Sequence, residues 1–122
     1  MVKSVQATFA TVLGAVLLVV GLLGFAMNPV LGVFGVSGVH NLVHIVSGIV
    51  GLAAGLAAAG IYAKKFNTIF GVIYLVVAAT GFFGIAAIND LLGLANGVPL
   101  ADNLLHLAIA IAALGVGFGA KD

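Results

Sequence analysis

The sequence predicts an all-α fold: an integral membrane four-helix bundle made of two tandem, parallel-repeated transmembrane hairpins. Three observations predict it. Of 122 residues, 64% are hydrophobic and 6% are charged, with a mean hydropathy of +1.39, whereas soluble domains carry about 25% charged residues. The apolar residues gather in four runs, each near the roughly 20 residues that one helix needs to cross hydrocarbon. Short polar elements of the first half recur in the second.

The first run extends from about Ala7 to Met27, behind Lys3. It is longer than the apolar core of a secretory leader and no small-x-small cleavage site follows, so it is expected to stay as a span. The connection Asn28 to Gly38 holds Pro29 and three glycines, which break helices. The second run covers Val39 to Tyr62, and the short connection Ala63 to Asn67 carries the pair Lys64-Lys65. The third run covers Phe66 to Ile88. Asn89 to Val98 then leads to Pro99, a residue suited to the first turn of the fourth helix, Leu100 to Phe118. Strand alternation is absent, and backbone groups in lipid must be satisfied within the segment, so the runs read as helices. Four spans use up the chain, and residues 1–122 form a single domain.

All four lysines (Lys3, Lys64, Lys65 and Lys121) fall in the segments that four crossings place on one side. The other two connections have no lysine. The positive-inside rule therefore predicts a multi-pass protein of the cell inner (plasma) membrane with both termini cytoplasmic. Tyr62, Phe66 and Phe70 fall near that inner interface, where aromatic residues anchor helices.

The composition excludes a good deal of chemistry. There is no Cys, Trp, Arg or Glu, so thiolate chemistry, cysteine metal clusters and arginine clamps on phosphate are ruled out. A net charge of +1 gives no footing for nucleic acid. The lipid bilayer is the expected partner.

The halves, about 7–62 and 66–119, match in pieces. Thr11-Val-Leu-Gly14 corresponds to Thr68-Ile-Phe-Gly71, Gly24-Phe25 to Gly81-Phe82, Asn28-Pro-Val-Leu-Gly32 to Asn89-Asp-Leu-Leu-Gly93, and Asn41-Leu-Val-His44 to Asn103-Leu-Leu-His106. Each half crosses twice, so the halves share one orientation and a pseudo-two-fold axis along the membrane normal.

On the second helix, His40, His44, Ser47, Gly51 and Gly55 recur at helical spacing; on the fourth, Asp102, His106, Ala110, Ala113 and Gly117 do. Packing these stripes together would set His44 near His106, Asn41 near Asn103 and His40 near Asp102. The bland reading makes Asn41, His44, Ser47, Asn103 and His106 a structural polar cluster tying helices together, with Asp102 favouring a helix amino end. The sharper reading makes His40, His44, Asp102 and His106 ligands for Zn or Cu, since histidines at i and i+4 chelate. Alternatively, His44 and His106 would ligate a haem b. A small-solute or proton path is a third reading, with Thr80 as the mid-membrane polar group, although the stripe stops being polar after Ser47. No oxyanion site or substrate-binding charge accompanies the histidines, so no enzyme is expected. The seam Ser47, Gly51, Gly55, Ala59 suits close packing within the chain or self-association. The apolar connection Val30 to Val36 is expected on the membrane surface, over the histidines, or against a partner.

The elements His40-Asn41-Leu-Val-His44 and Ala101-Asp102-Asn103-Leu-Leu-His106, each on a hairpin carrying Gly-Phe, resemble those of a bacterial membrane family catalogued only as domain of unknown function 4383. The resemblance covers nearly the whole chain and implies a small four-helix membrane protein, with no established activity, cofactor or site. Relatives of this kind carry more charge and arginine in their loops. The leading expectation is a non-enzymatic structural or assembly subunit, in a homo-oligomer or a larger membrane assembly. A metal or haem protein is the alternative.

Overall fold

The computed structural model describes residues 4–122; the amino-terminal Lys3, used above for orientation, lies outside the described residues. Helix α1 spans Val5–Ala26 and α2 spans Gly38–Leu56, followed by a 3-10 turn, Ala57–Gly60. Helix α3 spans Ala63–Phe82, α4 is a short helix, Ala86–Leu92, and α5 spans Pro99–Gly119 after a second 3-10 turn, Leu94–Asn96. Four of these segments are long and apolar enough to cross a membrane. Ser4 and Ser37 cap α1 and α2 by accepting from the backbone N–H of Ala7 and His40, which satisfies one orphan donor at each start. Pro99 takes the first turn of α5.

The third helix is shorter than its apolar run. Gly84 adopts a left-handed φ of 65°, Ile85 N–H bonds to Thr80 C=O at 3.0 Å, and Gly84 N–H bonds to Gly81 C=O at 3.1 Å. This paired arrangement satisfies the last carbonyls and stops a helix whatever the hydropathy of the residues beyond. The chain then restarts as α4. Likewise α2 ends at Leu56, ahead of Ala58, Ala59 and Gly60, all at positive φ.

Helix α1 packs along α2 and α3 along α5, giving two hairpins; α1 also touches α3. Glycine explains the pairing. A Cβ on Gly14 would fall 2.8 Å from Gly48 O, and one on Gly48 would fall 2.5 Å from Leu18 N, so the two backbones meet with no room for side chains. Gly71 against Leu114, and Gly117 against Thr68, play the same part in the second hairpin. Gly51 and Gly55 lie against Gly14, Phe66 and Thr11, so this part of the small-residue seam is used within the chain. The second and fourth spans, α2 and α5, do not form the direct helix pair that their polar stripes suggest: the glycine contacts draw each to the first helix of its own hairpin. Gly48→Val is expected to lower stability by about 1–3 kcal/mol through overpacking, read as an earlier unfolding midpoint in detergent. Gly115→Ala, where an added Cβ meets nothing among the described residues within 4 Å, is expected to leave the midpoint unchanged or raise it.

The interior is small or polar and the outside is apolar. Ala7, Ala10, Leu13, Leu17, Ala54, Ala63, Phe66, Tyr74 and Ala110 form the core, while Val12, Val16, Leu22, Val46, Val76 and Ile111 are all at least half exposed. Gln6, His40, Asn41, His44, Asn67, Asp102, Asn103 and His106 are buried. Such an outside is costly in water and suited to hydrocarbon.

At one end of the bundle, Asp122 accepts from the backbone of Val5 and Gln6 at 2.9 and 3.3 Å, which holds the start of α1 against the end of the chain. At the other end the two connections are laced together. Val98 N–H bonds to Val33 C=O at 2.7 Å, Asn96 Nδ2 to Val36 C=O at 3.1 Å, and Ser37 Oγ to Leu91 C=O at 2.6 Å. Val30 and Val36 are only 2% exposed. Of the three places open to the apolar connection, it takes the one over the histidines.

Candidate functional site

Helix α2 supplies His40 and His44 one turn apart, and α5 supplies His106 from the other hairpin. Each offers a ring nitrogen, and these three nitrogens lie within 4.8 Å of one another. The His40 ring centroid is 4.3 Å from that of His44 and 5.7 Å from that of His106. All three are buried. His40 Nδ1 lies 2.9 Å from Leu92 C=O; a carbonyl only accepts, so Nδ1 carries the proton and Nε2 keeps its lone pair. The Nδ1 atoms of His44 and His106 are buried with no hydrogen-bond partner among the described residues. Burying a polar atom unpaired costs about 1–3 kcal/mol, a cost that an ion bound to these rings would offset.

Two cavities adjoin the rings. One of about 50 Å³ is lined by all three histidines with Ser47, Tyr74 and apolar residues. The other, about 130 Å³, is lined by the histidines, Asp102, Val30, Leu31, Phe34 and Val36 of the connection, and the apolar faces of α1 and α5. Cofactor pockets run from about 300 Å³ upward, so the space beside the histidines suits an ion and not a haem.

The remaining predicted residues divide between two roles. Asn41 lies against Gly24 of α1, and Asn103 against Gly81 of α3; a Cβ on either glycine would overlap the amide. Each asparagine therefore locks its own hairpin, and the two do not pair across the bundle as their stripes suggest. Asp102 accepts from Gly35 N–H at 3.0 Å, so its carboxylate holds the α1–α2 connection down over the histidines. It is not among the three clustered nitrogen donors, and His40 bonds to Leu92 instead of to it. Ser47 is buried at the edge of the smaller cavity.

Sequence reasoning missed two features. Tyr74 of α3 stands 5.7 Å from the His106 ring, centroid to centroid; its one signal is a phenol within an otherwise apolar stretch. At the opposite end of the bundle, Gln6 Nε2 donates to Val116, Gly117 and Ala120 carbonyls at 2.7, 3.3 and 3.2 Å. Asn67 Nδ2 donates to Gln6 Oε1 at 2.8 Å. That pair binds α1, α3 and α5 together.

The family described as Domain of unknown function (DUF4383) matches residues 7–119. No curated protein and no solved structure matches the chain.

Proposed function

The chain belongs to that family of unknown function, and from this premise we propose that it is a non-enzymatic multi-pass membrane protein that holds one transition-metal ion between its two hairpins. The observation that carries the reading is the convergence of three buried imidazoles, two with an orphaned nitrogen, beside a cavity of ion size. An ion bound at about 2.0–2.1 Å to each ring sets nitrogens about 3.4 Å apart, so rotation of the rings by about an ångström completes the shell. The Leu92 carbonyl on His40 is the kind of outer partner that fixes the tautomer of a metal-ligating histidine. The asparagines carry the structural part of the doubled Asn-x-x-His element, and the histidines carry the site.

The hairpins are read as a parallel repeat. What supports this is that Gly24–Asn41 and Gly81–Asn103 make the same contact, as do Thr11–Gly55 and Thr68–Gly117. With the lysines inside, the termini are cytoplasmic and the histidines lie near the outer face of the inner membrane. An impermeant thiol reagent added to intact cells is expected to label Ala95→Cys and spare Lys64→Cys; the reverse pattern contradicts this orientation. A subunit role, in a homo-oligomer or a larger membrane assembly, is compatible with the site.

Loading the detergent-purified protein with Zn(II) or Cu(I), desalting it and measuring metal by elemental analysis tests the function. About one ion per chain is expected, and background levels in a His44→Ala, His106→Ala variant that still elutes as folded protein. Background metal in the unaltered chain for both ions rules the reading out.

A further inference from the structure

The three-histidine site also carries a charge balance, and the following inference rests on the metal-binding reading. The clustered donors are imidazole nitrogens, neutral when they ligate, and no acid belongs to the group. The acid that lines the adjoining cavity is Asp102, 2% exposed and held by the Gly35 N–H. Other acids stand elsewhere: Asp90 is exposed, and Asp122 lies against the start of α1 at the other end of the bundle. The rest of the cavity is apolar, with Val16, Leu17, Phe34 and Leu105 among its walls. Among the described residues, Asp102 is the one acid that lines these cavities, and no lysine does.

In such surroundings an unbalanced charge is expensive, and the expense grows as the square of the charge. One carboxylate cancels a monovalent ion and leaves a divalent ion with a net positive charge. We infer that the site selects monovalent copper, Cu(I), over divalent zinc, because three neutral imidazoles and the single carboxylate of Asp102 balance one positive charge and no more. Imidazole suits both copper and zinc, so ligand type alone does not decide between them. Coordination number points the same way. Cu(I) is satisfied by three nitrogens, whereas Zn(II) wants a fourth ligand.

The test is a competition. Protein reconstituted in lipid nanodiscs is exposed without oxygen to equal Cu(I), held in solution by acetonitrile, and zinc chloride. It is then desalted and both metals are measured. Copper is expected at about one per chain and in at least tenfold excess over zinc, a ratio worth about 1.4 kcal/mol. Asp102→Asn is expected to weaken both ions and zinc the more, so that the copper-to-zinc ratio rises about tenfold, while Asp102→Glu, which keeps the charge, leaves the ratio as it was. Zinc retained at or above the copper level overturns the inference and leaves the three-histidine site standing. Retention of neither metal overturns the inference and the metal-binding function together. Copper preference unchanged in Asp102→Asn overturns the charge argument.

Discussion

Replacing His106 with leucine is expected to abolish metal-induced stabilisation while leaving the metal-free protein as stable as before, or more so. The two halves of this expectation have separate causes. In the metal-free protein the Nδ1 atoms of His44 and His106 are buried without partners among the described residues, and an apolar side chain of similar size removes one such orphan. Removing it returns about 1 kcal/mol or more. An ion that binds only the folded state at a hundred times its Kd adds about 2.7 kcal/mol, and that gain needs the third imidazole. Thermal unfolding in detergent, with and without Cu(I) or Zn(II), reads both effects in one experiment. A histidine whose role is purely structural behaves in the opposite way: its loss destabilises the metal-free protein, and added metal changes neither form. Asn103→Ala provides the contrast. It is expected to destabilise the chain by loosening the α3–α5 contact at Gly81 while metal still raises its midpoint.

The second large effect lies at the far end of the bundle. Gln6→Ala removes the donor to the Val116, Gly117 and Ala120 carbonyls and the acceptor for Asn67 Nδ2. Gln6 and Asn67 are 2% and 0% exposed; the Asn67 amide keeps its bond to the Gln6 backbone carbonyl at 3.1 Å, but its other N–H finds no water. A buried donor stranded in this way costs about 1–3 kcal/mol, and the variant is expected near or above the upper figure because three helices lose their shared tie. Replacing both residues with leucine strands nothing at that pair and is expected to recover much of the loss. A chemical denaturation cycle over the two single variants and the double variant measures the coupling. Additive losses contradict a direct Gln6–Asn67 pair.

Much of this fold is legible in the sequence because lipid permits so few backbone solutions. Four apolar runs, a lysine pattern and Pro99 are enough to place four helices. The end of α3 is not legible. Gly84 looks like its neighbour Gly81 in sequence, yet Gly84 takes a left-handed turn and Gly81 sits in the helix against Asn103. Only tertiary context separates them. The helix pairing is hidden for a related reason. Polar stripes on the second and fourth spans suggest a direct pair, but glycine contacts set backbone distance, and those contacts run within each hairpin. Of the candidate site, the i, i+4 spacing of His40 and His44 and the recurrence of His106 are plain in the chain. The hydrogen bond from His40 to Leu92 is not, because it depends on α4, a helix that lies inside what hydropathy treats as a span and a loop. Gln6 and Asn67 escape notice because each is a lone polar residue near a helix end, where water normally solvates such a side chain.

X-ray absorption of the metal-loaded protein reads the ligands of the ion themselves. A shell of about three imidazole nitrogens near 2.0 Å, with the outer-shell scattering of histidine rings, is expected. The His44→Ala, His106→Ala variant is expected to lose that signal. A metal bound by oxygen alone, or by a single histidine, contradicts a site built from His40, His44 and His106.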